Sequence, residues 1–145
     1  MKSTAFAGAI ALLLLTLACG TGRKSASGFH LPDGNVEHGR AVFLDLKCNA
    51  CHRVQSLDLP APTVRPEVPV VLGGRIHYAR TDGELVTSIV DPSYRIVSGY
   101  SLDQVSGGGR SRMPDVSDTI TAHQLTDLVA FLQSRYEVVP LQPVQ

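Results

Sequence analysis

Residues 48–52 read Cys48-Asn49-Ala50-Cys51-His52, and the rest of the chain is best read outward from them. Two thiols separated by two residues, with a histidine directly after the second, form the C-x-x-C-H signal for covalent haem attachment. The thiols add across the two vinyl groups of a haem. Their spacing lets both sulfurs reach one porphyrin edge. The histidine then lies under the macrocycle with a ring nitrogen facing iron. Covalent attachment keeps the cofactor from being lost outside the cytoplasm. Other uses of a cysteine pair fit less well. A thioredoxin-like exchange site belongs in a βαβ context, which this sequence does not display. A zinc site needs more Cys or His at paired spacing, whereas His77 and His123 each stand alone.

Upstream, Asn35 is placed as the N-cap of a first helix, with Gly39, Val42, Phe43 and Leu46 recurring at helical spacing. Downstream, Leu59 to Pro69 contains Pro60, Pro62, Pro66 and Pro69. Such a run excludes a regular helix or a central strand and predicts an extended, wrapping loop, closed by Gly73-Gly74. Thr81-Asp82-Gly83-Glu84 is a capping box that opens a second helix. Leu85, Val86 and Ile89 form its apolar side and Pro92 ends it. A loop with the tip Ser106-Gly107-Gly108-Gly109 leads to Met113-Pro114. Thr121-Ala122-His123-Gln124 is another capping box. It opens a last helix with Leu125, Leu128, Val129, Leu132 and Tyr136 on one face and Pro140 just beyond. No strand pattern of convincing length is visible, and no internal repeat. The expected class is all-α, a small globule of three to four helices with long loops. Loops of that length call for a ligand that organises them.

An iron held by one histidine takes methionine or histidine as the usual second axial ligand in an electron-transfer protein. Met113 is the only methionine besides the initiator. A lone methionine ordinarily fills a core, but Met113 sits in a stretch rich in Gly, Ser and Arg. His77, after the Gly-Gly turn, is the rival ligand. His30 and His38 precede the motif closely, and His123 belongs to the solvated first turn of the last helix. Met113 is favoured because thioether ligation suits one-electron carrier chemistry.

The chain has 145 residues, with 13 basic and 13 acidic side chains. Ala5 to Ala18 is uncharged and mostly Ala and Leu, with Lys2 ahead of it. That run is too short to span a bilayer as a helix and fits the core of a secretory signal. It ends in Leu15-Thr16-Leu17-Ala18-Cys19-Gly20. A small residue before a cysteine resembles a bacterial lipoprotein signal, in which the thiol is lipidated and becomes the new N-terminus. Thr16 stands where Leu is more usual, and an ordinary cleaved signal containing a cysteine is the alternative. The odd count of three cysteines favours lipidation. Cys19 would carry lipid, and Cys48 and Cys51 thioether bonds, so that no thiol is left over. Gly20, rather than Asp, resembles the pattern that permits transfer to an outer membrane. The chain therefore divides into a leader (1–18), a polar Gly/Ser-rich tether (19–34), a domain (35–137) and a tail (138–145). Balanced charge, with no basic stripe interleaved with aromatics, argues against nucleic acid as a partner. Aromatic residues make up 6% and Trp is absent. So thin a core would gain from a large apolar cofactor at its centre.

In order, Gly39-x-x-x-Phe43, the Cys48–His52 motif, the Pro-rich loop, Met113-Pro114 and Leu125-Thr126-Asp127-Leu128-Val129-Ala130-Phe131-Leu132 resemble a class I cytochrome c. The resemblance covers about Asn35 to Tyr136. It implies one covalent haem c held by Cys48 and Cys51, with His52 and Met113 on iron. It implies first and last helices that cross near Gly39, with Phe43 and Phe131 packed around the crossing. It also implies a prolyl-loop carbonyl accepting the Nδ1–H of His52, with Pro66 as the candidate and Pro62 next. Tyr100 and Arg95 are its candidates for contact with a haem propionate. Tyr94 to Arg112 is longer than the family's usual approach to the methionine. Ile89-Val90-Asp91-Pro92 leading to Met113-Pro114 also resembles the monohaem subunits of periplasmic sulfur-oxidation complexes.

The expected function is a non-enzymatic single-electron carrier that exchanges electrons with redox partner proteins. Its expected place is the periplasmic face of a bacterial membrane, held by the N-terminal lipid. Two other readings stay open. One is a haem subunit of a larger periplasmic oxidoreductase. The other is a haem enzyme or gas sensor, which requires Met113 to be off iron.

Overall fold

Short polar residues set where the helices begin. In the computed structural model, which describes residues 29–61 and 69–140, Asn35 caps α1 (Val36–Asp45) by accepting the His38 N–H at 2.9 Å. Thr81 caps α2 (Asp82–Val90) through a reciprocal box. Its Oγ1 accepts the Glu84 N–H at 3.2 Å, and Glu84 Oε2 accepts the Thr81 N–H at 3.1 Å. A single turn, α3 (Leu102–Val105), follows Ser101, whose N–H donates to Gln104 Oε1 at 3.3 Å. Thr121 and Gln124 build the same box at the start of α4 (Ala122–Gln133), at 3.2 and 2.9 Å. Each box satisfies backbone donors that a helix start leaves without partners. Among the described residues, no helix is long and apolar enough to cross a membrane.

The core forms where α1 crosses α4. A Cβ on Gly39 would fall on the carbonyl oxygen of Asp127 in α4, so only glycine allows this approach. Phe43 and Phe131 meet at the crossing with ring centroids 5.5 Å apart and planes tilted by 58°, a favourable arrangement for aromatic rings. Val42, Leu128, Val129 and Leu132 pack around them, and α2 adds Leu85 and Ile89. Asp127 is the buried charged residue here. Its Oδ1 accepts the Asn35 N–H at 2.7 Å. Its Oδ2 lies 3.4 Å from His123 Nε2 and 3.8 Å from His38 Nδ1.

Very short strands lie between and beyond the helices: β1 (His52–Val54), β2 (Val70–Leu72), β3 (Gly74–Ile76), β4 (Ser106–Gly107), β5 (Arg110–Ser111) and β6 (Tyr136–Val138). β1 pairs in parallel with β2, and β3 in parallel with β6. β4 and β5 form an antiparallel hairpin. The all-α class holds, with these strands as additions that the sequence did not announce. Two or three residues are too few to display a period of two.

Two expectations are corrected. The stretch before Met113 is not the plain loop its Gly-rich tip suggests, because it contains α3 and the β4–β5 hairpin. Gly108 and Gly109 form the hairpin turn with φ of 58° and 77°, a two-residue turn that demands positive φ at both positions. Tyr136, whose spacing predicts a place on the face of the last helix, lies outside it. That helix ends at Gln133, and Tyr136 opens β6, where the chain exchanges helical bonds for pairing with Gly74. Tyr136 still packs against the core.

Candidate functional site

The Cys48–His52 segment is held at both ends. Lys47 adopts a left-handed conformation (φ 57°) directly after α1 and turns the chain into a 3-10 turn over Cys48–Ala50. Within it the Ala50 N–H donates to the Lys47 carbonyl at 2.9 Å and the Cys51 N–H to the Cys48 carbonyl at 3.1 Å. The Asn49 side chain donates to the Pro60 carbonyl at 3.0 Å, tying the turn to the following loop. At the far end, Val54 is almost wholly buried in the core. His52 lies two residues earlier on the same strand and therefore shares the inward face of β1.

Cys48 and Cys51 are both free thiols, the first partly buried and the second exposed. Burial pushes the Cys48 thiol up to about 11, reinforced by the neighbouring Cys51 and opposed by a backbone hydrogen bond. A thiol–disulfide exchange nucleophile requires the opposite, a lowered pKa. Burial thus disfavours the Cys48 thiolate as the nucleophile of such an exchange.

His52 is partly buried, and its Nδ1 lies 3.4 Å from the carbonyl oxygen of Val70. Burial lowers its pKa, and the Val70 carbonyl works against that shift. The imidazole is thus favoured in its neutral form, the form that binds a metal. A proton on Nδ1, directed at Val70, leaves the lone pair on Nε2. The carbonyl expected for this role was that of Pro66, with Pro62 next. Both prolines lie outside the described residues, as does Cys19. Val70 carries no side-chain signal for such a role, because the acceptor is main chain.

Tyr100 meets the same strand. Its hydroxyl oxygen accepts the Val71 N–H at 3.2 Å. Arg95, the other expected propionate contact, has Nη1 3.7 Å from Glu84 Oε1, with the Arg95 side chain largely exposed and that of Glu84 partly so. Apolar side chains are exposed on the segments that join at Tyr100, namely Val71, Val97 and Leu102. A planar apolar group would cover surface of that kind.

Met113 is positioned by the hairpin that precedes it. Its N–H donates to Ser111 Oγ at 3.1 Å, and the Ser111 N–H donates to Ser93 Oγ at 3.1 Å. The Arg112 guanidinium donates twice to the Asp103 carbonyl, at 2.8 and 3.1 Å. Beyond Pro114, Asp115 Oδ1 accepts from the Ser117 hydroxyl at 2.6 Å and its N–H at 2.9 Å, which holds the Asp115 carboxyl below its usual pKa. The rival ligand His77 has Nδ1 3.2 Å from the Val139 carbonyl, at the end of β6.

Two free thiols followed directly by a half-buried histidine, its Nδ1 3.4 Å from a backbone carbonyl, fit a covalently attached haem. A family model described as cytochrome c matches residues 36–135. No curated protein and no solved structure matches the chain.

Proposed function

Starting from the membership of this chain in the class I cytochrome c family, whose members carry covalent haem c and transfer electrons, we propose that it is a lipid-anchored single-electron carrier with His52 and Met113 as iron ligands. When bound, haem c supplies an iron that alternates between two oxidation states. Cys48 and Cys51 provide the thioether sulfurs. His52 presents Nε2, with its tautomer set by Nδ1 at Val70. Met113 supplies a thioether from a backbone held by Ser111. Lipid on Cys19 and the following polar tether would keep the domain near a membrane facing the periplasm, where redox partner proteins donate and accept electrons.

The observation that carries this reading is the half-buried His52, with Nδ1 3.4 Å from the Val70 carbonyl oxygen, directly after two free thiols. The second ligand is tested by the weak near-infrared sulfur-to-iron band of the oxidised protein. The band is expected in the wild type and absent in Met113→Ala. A wild type without it would refute methionine ligation. The second reading is a haem subunit of a larger oxidoreductase. A stable stoichiometric complex after purification would support that reading.

A further inference from the structure

His52 Nδ1 and Tyr100 address the two ends of one peptide group. The group is formed by the carbonyl of Val70 and the N–H of Val71. In a trans peptide these point in opposite directions, and no cis peptide occurs among the described residues. On one side His52 Nδ1 lies 3.4 Å from the Val70 oxygen. On the other, the Val71 N–H donates to the Tyr100 hydroxyl at 3.2 Å. β1 and β2 hold the group in register, with His52 opposite Val70.

We infer that Tyr100 is a positioning residue for His52, acting through the Val70–Val71 peptide rather than only through a direct contact with the haem. The inference rests on His52 being an iron ligand. Hydrogen bonds in a chain polarise one another. When the Val71 N–H donates to Tyr100, the Val70 carbonyl becomes a better acceptor. A better acceptor at Nδ1 makes the imidazole a stronger donor to iron. A stronger histidine donor favours the oxidised metal and lowers the reduction potential. Tyr100 also fixes where that carbonyl sits, because it anchors β2 from the side opposite β1. Its phenolic proton is not used in this contact and stays available to another acceptor.

The test uses the haem-loaded protein, labelled with 15N-histidine, as wild type and as Tyr100→Phe. Phenylalanine keeps the ring and removes only the hydroxyl. In the oxidised wild type, the ring nitrogens of His52 should be strongly shifted by the iron. Without that shift, His52 is not a ligand, and the proposed ligation fails together with this inference. With the shift present, Tyr100→Phe should move the His52 Nδ1–H resonance, speed its exchange with solvent and raise the reduction potential. An unmoved Nδ1–H resonance overturns the inference, even where the potential changes, because a direct Tyr100–propionate contact alone would give that pattern. Should the variant fail to fold, the Val71 amide of the wild type still decides. It should exchange slowly although it has no β1 partner, and rapid exchange would contradict the Tyr100 contact.

Discussion

Gly39 and Asp127 touch backbone to backbone: the space that a Gly39 side chain would occupy holds the Asp127 carbonyl oxygen. The α1–α4 crossing, the Phe43–Phe131 pair and the run of chain from α1 into Cys48 all depend on that approach.

Gly39→Ala should therefore lower stability by about 1–3 kcal/mol or more, since a main-chain atom cannot swing aside as a flexible side chain can. Gly107→Ala is the control, because nothing lies within 4 Å of the added Cβ there. It should stay within roughly 0.5 kcal/mol of wild type. Denaturant unfolding of both variants checks the pair, and equal midpoints would contradict the close approach.

Asp127 bonds across the crossing as well as packing in it. Asp127→Ala removes the acceptor of the Asn35 N–H and should cost about 1–3 kcal/mol. Asp127→Asn keeps an acceptor of the same shape and should recover much of the loss. If unfolding midpoints show Asn no better than Ala, the stabilisation comes from charge facing His38 and His123 and not from the hydrogen bond.

The α1, α2 and α4 starts were legible because capping residues and apolar periodicity agree over several turns. The attachment motif was legible because its chemistry needs contiguous residues. The Val70 carbonyl was not, because a main-chain acceptor leaves no trace in residue type. The parallel pairs β1–β2 and β3–β6 join segments far apart in sequence and are too short to alternate visibly. α3 did carry a signal, Ser101-x-x-Gln104, the same box spacing that marked the longer helices. Tyr136 was misplaced because its spacing continues the helical face beyond the last helical residue.

Met113→Ala should leave the haem attached, open a coordination position to carbon monoxide and lower the reduction potential, since thioether ligation raises it. His77→Ala should leave the spectrum nearly unchanged, since Met113 and not His77 is the proposed second ligand. Spectra of the reduced proteins with and without carbon monoxide check both. A shift on His77→Ala but none on Met113→Ala would mean bis-histidine ligation.

Cys19→Ser should convert a membrane-associated protein into a soluble one without altering its haem spectrum. Fractionation, with mass spectrometry of the mature N-terminus, checks this. A mature chain beginning elsewhere, with Cys19 unmodified or removed, would contradict lipid anchoring.

The central claim is that Cys48 and Cys51 hold haem covalently, and the mass of the intact denatured protein tests it most directly. Acid–acetone extraction should leave all the haem on the polypeptide, whose mass should exceed that of the processed chain by one haem. Cys48→Ala combined with Cys51→Ala should abolish the increment. A wild-type polypeptide of unmodified mass, with its haem in the organic solvent, would contradict the account.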